Sequence, residues 1–280
     1  MKQTFTLITA LLLTSLISAQ NFQGKVTYKS KRKIDIKLDS TQMESDMHKK
    51  MMEMLKKQFE KTFVLSFNKN ESLYKEDEKL SKPQGPGDME MVMVNTGGSD
   101  ILYKNTKDNR FANQNDVFGK IFLIKDNLEK LDWKPGKETK NIGEYTCYKA
   151  TMKREIEVFE SGMSINGDKD LKAERKKAPK LKEITITAWY TPTIPVNNGP
   201  GNYHGLPGLI LEVNDGTETV ICSKIVLNPK NAIAIKEPTK GKEVTQEKYE
   251  TILEKKMKEM DEKRSFNSKE GQNIEIIIGG

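Results

Sequence analysis

The stretch Trp189 to Val213, WYTPTIPVNNGPGNYHGLPGLILEV, constrains the fold of this chain more than any other. A strand-like run feeds a loop rich in Pro and Gly, and the loop feeds a second apolar run. Pro192, Pro195 and Pro200 each fix φ and remove a backbone donor, so no helix can cross it. Gly199, Gly201, Gly205 and Gly208 permit positive φ or a close backbone approach. Pro207 holds Leu206 extended, so Gly205 to Ile210 reads as a turn that launches a strand.

Strand patterns flank the loop. Phe22 to Lys31 alternates apolar with polar, and Ile34, Ile36 and Leu38 continue that alternation. Phe63 to Phe67 and Ser72 to Tyr74 flank an Asn-Lys-Asn turn. Further strands are expected at Ile101–Tyr103, Arg110–Ala112, Lys120–Ile124 and Asn141–Met152, with a turn at Pro135-Gly136. In Leu181–Tyr190, Ile184, Ile186, Ala188 and Tyr190 share one face, and Thr185, Thr187 and Trp189 the other. Pro207–Val213 and Glu218–Leu227 form a hairpin through Asn214 to Thr217, which would pair Leu211 with Val220 and Leu209 with Cys222.

Two segments read as helix. Gln42 to Lys61 carries Met43, Met47, Met51, Met54 and Leu55 at three- and four-residue spacing. A Lys/Glu-rich helix begins near Glu243 or Thr245 and reaches about Lys263, with Tyr249, Ile252, Leu253, Met257 and Met260 as its apolar stripe. Lys153 to Lys180 is a charged insertion, an extended hairpin or a mobile loop. An antiparallel sheet with one or two packed helices, an α+β domain, fits this order.

The first nineteen residues read as a signal peptide cut after Ala19: Lys2 is the positive start, Leu7 to Ile17 the apolar run, and Ser18-Ala19 the small-residue exit. The expected product is periplasmic or secreted, with no transmembrane segment in the mature chain. Residues 20–265 would then form a single domain and 266–280 a tail. The formal charge is +7, but Lys and Glu interleave and no basic stripe carries aromatic platforms, so the surface reads as solvated mixed charge and nucleic acid is not an expected partner. Cys147 and Cys222 are the only cysteines; in an oxidising compartment they are either one disulfide or two buried thiols.

Several landmarks occur in a fixed order. Phe122-Leu123-Ile124 precedes Trp133 and Ile142 to Ala150. Trp189-Tyr190-Thr191 and Ile194-Pro195 follow, then Gly199-Pro200, Tyr203 and Gly205-Leu206-Pro207-Gly208-Leu209-Ile210. In these landmarks the chain resembles the GLPGLI family of secreted Bacteroidota proteins, which has no established activity. A weaker resemblance of architecture, to the half-barrels of LolA-type lipoprotein carriers, implies an incomplete, unclosed β-barrel around an apolar cavity.

No residue set rises to a catalytic site. His48 and His204 are the only histidines, and neither lies in a zinc or nucleophile motif. The expectation is therefore no catalytic residue and no cofactor. The leading reading is a non-enzymatic envelope protein that binds an apolar, lipid-like ligand or an outer-membrane protein partner. The alternative is a Cu(I)- or Ag(I)-binding protein using Met43, Met47, His48, Met51, Met54, Met89, Met91 and Met93, since thioethers with an imidazole suit soft metals.

Overall fold

Alternation of side chains decides which way each strand faces. In QGKVTYKSKR, Val26, Tyr28 and Ser30 are buried while Lys25, Lys29 and Lys31 are exposed. The computed structural model describes residues 22–33, 60–77, 101–117, 119–158 and 180–267. Within them lie β1 (Gln23–Arg32), β2 (Lys61–Asn68), β3 (Glu71–Glu76), β4 (Ile101–Asn105), β5 (Arg110–Val117) and β6 (Lys120–Asn127). They are followed by β7 (Lys134–Ile142), β8 (Tyr145–Val158), β9 (Lys180–Thr191), β10 (Leu209–Asn214), β11 (Glu218–Leu227) and β12 (Lys242–Val244). Helix α1 (Gln246–Asn267) comes last.

All twelve strands join one sheet in the order β12-β6-β5-β4-β3-β2-β1-β11-β10-β9-β8-β7. Its pairs are antiparallel except β12 on β6. The α+β expectation is corrected: the described residues are mostly strand, all in one sheet, with a single helix packed on β6 at one margin. The expected incomplete barrel is corrected as well. The sheet is open, and among the described residues it folds on itself so that its two leaves share one apolar core.

The fold line runs between β10 and β11, which pair only over Glu212–Asn214. An irregularity between Ile210 and Glu212 then turns β10 away. One leaf, β12 to β11, thereby faces a second, β10 to β7. Their shared core takes Val26, Tyr28, Leu65, Phe67, Tyr74 and Leu102 from the first leaf and Cys147, Leu209 and Leu211 from the second. The Tyr28 hydroxyl crosses the gap and donates to the Ile210 carbonyl at 2.6 Å.

Local expectations shift in four places. The β10–β11 turn sits one residue later, because Asp215 accepts from the Thr217 and Glu218 amides, so Val213 pairs with Val220. That moves the register by two residues and keeps Leu211 and Cys222 facing the core. Pro135-Gly136 lies inside β7, where the register slips between Pro135 and Thr139. Asn141–Met152 is divided by the Gly143-Glu144 turn, with Gly143 at φ 60°. Lys61 is the first residue of β2, so the helix expected from Gln42 cannot extend that far. The remainder of that helix, the signal peptide and the tail after Asn267 lie outside the described residues.

Beyond β11, residues 228–241 cross the back of the first leaf. Ile235 packs there with Leu73, Tyr103, Ala112 and Leu123, and Glu237 pairs with Arg110 at 2.8 Å. Helix α1 then lays Tyr249, Ile252 and Leu253 on Val117, Phe122 and Ile124 of the front.

Candidate functional site: the Pro192–Gly208 loop

The loop between β9 and β10 is irregular but largely buried. Ile194 and Val196, at 0% and 1% exposure, enter the core between the leaves. Leu206 and Tyr203 pack on the outer side of the second leaf with Trp133, Met152, Ile186 and Tyr190. The loop thus seals both faces of β9 and β10. The backbone closes on itself: Leu209 N donates to Ile194 O and Ile210 N to Asn198 O, each at 3.0 Å.

Two glycines are required by contact. A Cβ on Gly208 would lie 2.3 Å from the Thr191 carbonyl oxygen, and one on Gly199 would lie 2.8 Å from Ile210 Cβ. Gly205, at φ 94°, occupies the left-handed region where only glycine is unstrained. The hexapeptide is therefore a packing device: Leu206, Gly208, Leu209 and Ile210 are buried and only Pro207 and Gly205 reach solvent.

Lys104 of β4 is the electrostatic centre of the loop. Its side chain is fully buried, and Nζ donates to the carbonyls of Gly199 (3.1 Å), Gly201 (2.7 Å) and Tyr203 (3.1 Å). Burial pushes the ammonium down to about 7, while three oxygen acceptors favour the charged form in opposition. Beside it, Ser72 Oγ bonds Asn198 Oδ1 at 2.9 Å, and both residues are 0% exposed. Asn198 Nδ2 and Thr191 Oγ1 are buried without a hydrogen-bond partner among the described residues.

His204 is buried next to this lysine. Desolvation first, then the Lys104 charge, lowers it to about 4, so the ring is neutral at ordinary pH. Its carbonyl accepts from Trp133 Nε1 at 2.8 Å. A Cys147–His204 nucleophile pair is not assembled. Cys147 lies in the core between the leaves, with Lys140 and Glu212 as its charged neighbours and its thiol pushed up to about 11 by burial. Cys147 and Cys222 are both free thiols in that same core, and burial raises Cys222 to about 11 as well.

Among the motif residues, Tyr203, Gly205, Leu206, Pro207 and Gly208 are brought together in the loop, with Gly199 and Pro200. Trp189 stands apart on β9, with the Lys140 ammonium 4.4 Å from its ring centre and Glu212 bonded to that ammonium at 2.7 Å. Tyr190 packs on the other face of β9 beside Tyr148. Met43, Met47, His48, Met51, Met54, Met89, Met91 and Met93 lie outside the described residues. Among the described residues no group of three or more His, Cys, Asp or Glu side chains is placed to hold a metal. No described helix is long and apolar enough to cross a membrane. A shallow concavity of about 290 Å³ lies at the end of β5 and β6 and is lined by Arg110, Phe111, Lys125, Asp126 and Asn127.

Lys104 was missed in the sequence, yet a signal was there. Alternation in Ile101-Leu102-Tyr103-Lys104 puts the lysine on the same side as Leu102, an inward position that calls for buried acceptors.

No curated protein matches this chain. Two crystal forms of PNGF-II, in space groups C2 and P21, are similar to it at 17% and 16% identity with a TM-score of 0.46 each. The similarity covers 83% and 82% of this chain but only 32% and 33% of those chains, so this chain spans about a third of their length. Residues 133–212, which include β7 to β9 and the whole loop, match the model of a family described as a protein of unknown function, Porph_ging.

Proposed function

We propose that this chain is an exported, non-enzymatic envelope protein that works by holding an outer-membrane protein partner. One observation carries the choice of partner over apolar ligand: the space between the leaves, where acyl chains would have to lie, is taken by the chain's own Ile194 and Val196. Export rests on the pattern of Lys2 and Leu7 to Ile17. A role in holding is supported by the chemistry of the loop. His204 is neutral and walled in, and Lys104 is fully buried with its Nζ on three backbone carbonyls, so neither is presented to a substrate.

The test has two arms. Delipidated protein titrated with a fluorescent fatty acid should show no saturable uptake, while photo-crosslinking in cells should give one discrete adduct in the outer-membrane fraction. Saturable uptake would return the function to an apolar ligand. Turnover of any substrate, abolished by changing one polar side chain, would end the non-enzymatic reading.

A further inference from the structure

We propose that the back face of β3-β2-β1-β11 is a contact surface for an anionic lipid leaflet. Strand alternation sorts charges that are mixed in sequence. Lys25, Lys29 and Lys31 of β1, Lys75 of β3 and Lys224 of β11 all project from this one face and are all exposed. The registers bring them together: Lys25 is opposite Val226, Thr27 is opposite Lys224 and Val64, and Val64 is opposite Lys75. The patch extends roughly 20 Å along β1 and roughly 14 Å across four strands.

The described acidic groups leave the lysines unpaired: of those on these four strands only Glu71 shares this face, at its far end. Glu76 and Glu218 belong to the opposite face, where they bond Lys61 and Ser30. Glu71 is occupied by the Tyr103 hydroxyl at 2.5 Å and by Asn68. Lys31 has a loose exposed contact with Glu60 at 3.6 Å. Among the described residues, Lys25, Lys29, Lys75 and Lys224 have no ion-pair partner.

The residues between the lysines identify the occupant. Away from the 228–241 crossing, which covers Leu73 at one end of β3, the residues between the lysines are Thr27, Thr62, Ser66, Ser223, Ile221 and Val226, so this part of the face offers no large side chain to fill a protein pocket. Among the described residues of this face no exposed aromatic ring offers a stacking platform for bases. All five charges are lysine, a flexible point charge, and none is the bidentate arginine of specific phosphate recognition. A level plane of independent point charges fits a fluid, diffusely charged layer such as phosphate-bearing lipid headgroups. The inference rests on the envelope reading only for where such a leaflet would be met, and it stands whichever partner protein is held.

The full mature chain is mixed with vesicles of phosphatidylcholine alone or with about one-third phosphatidylglycerol. Sedimentation should show binding only to the anionic vesicles, lost in high salt, where the screening length falls to about 3 Å. Each lysine near an anionic surface changes partitioning by roughly fivefold, so K25E/K29E/K224E should bind on the order of a hundredfold or more weakly. The matched control K130E/K134E/K137E, reversing three exposed lysines in and just before β7, should bind like wild type. A K25Q/K29Q/K224Q protein, with unchanged thermal melting, separates lost charge from lost fold. Equal binding to neutral vesicles, no binding to either, or equal loss in the control would overturn the proposal. So would retention on immobilised polyglutamate with indifference to vesicles, which would assign the face to an acidic protein. Crosslinking to an outer-membrane protein would be unaffected by any of these failures.

Discussion

The Pro192–Gly208 loop and the outer half of the β8–β9 hairpin are both excursions from the same two-stranded ladder, and they are held in opposite ways. Past Thr151 and Thr187, β8 and β9 pair only with each other, because β7 and β10 have ended. Beyond the buried Met152–Ile186 pair the contacts are between charges in water: Lys153 with Glu183 at 2.7 Å, Arg154 with Glu129, and Leu181 left 68% exposed. Glu155 even faces Glu183 across the ladder. At the other end, the loop has almost no regular structure, but it is held by buried backbone carbonyls on Lys104 and by the buried side chains of Ile194, Val196 and Leu206. Regularity and rigidity are therefore separable in this molecule. The irregular end belongs to the core, and the regular end is an accessory.

The contrast is broken most severely at Gly208. A side chain there must displace the Thr191 backbone, which a β-strand end cannot yield cheaply. Gly208→Val should destabilise the protein by about 3 kcal/mol or more, read as a fall in the urea midpoint with an unchanged slope. A change below about 1 kcal/mol would mean that the loop is not held against β9 at all.

Lys104 gives the next effect. Lys104→Met keeps the stem but strands three buried carbonyls, which should cost on the order of 2 kcal/mol at pH 7. The pH dependence has a definite sign. The folded-state value of about 7 is depressed from the usual 10.5, so between those values the unfolded chain binds the proton and the folded chain does not. The stabilising contribution of Lys104 is thus complete above 10.5 and is lost as pH falls through 7. Wild type should gain on Lys104→Met between pH 7 and pH 9.5 in paired denaturation curves. A gap that narrows over this range would place the proton on the folded lysine and reverse the order of burial and carbonyl attraction.

What was legible in the sequence divides along the same line. Strands, the loop and the hairpin were readable because alternation, proline and glycine act locally. The faces of Leu181–Tyr190 were read from period alone, and the structure agrees. The folding of one leaf on the other was not readable, because it depends on one irregularity at Ile210–Glu212 and on contacts such as Tyr28 with Ile210, 182 residues apart. The half-barrel expectation failed for that reason, as nothing local says whether a concave face stays empty. The motif could be seen as punctuation, but not its clamp: Lys104 lies 95 residues before Gly199.

His204 ranks third. Its folded value of about 4 lies below the usual 6.5, so its contribution is complete above 6.5 and disappears as pH falls through 4. Wild type should lose on the order of 2 kcal/mol over that interval relative to His204→Gln, measured by thermal melting in matched buffers. Parallel titrations of the two proteins would mean that the ring is hydrated, and the loop less tightly sealed than Leu206 and Trp133 imply.

The arm should yield least. Lys153→Ala removes one exposed ion pair, and such pairs contribute between nothing and about 1 kcal/mol because water and side-chain entropy offset the attraction. Leu181→Asn removes apolar surface that solvent already reaches. The double variant should melt within a degree or two of wild type, about the shift that 0.5 kcal/mol produces in a protein of this size. A larger loss would show that the arm is packed in solution against something that these strands do not provide. The regular end of the ladder would then be as much a part of the core as the loop, and the contrast between them would fail.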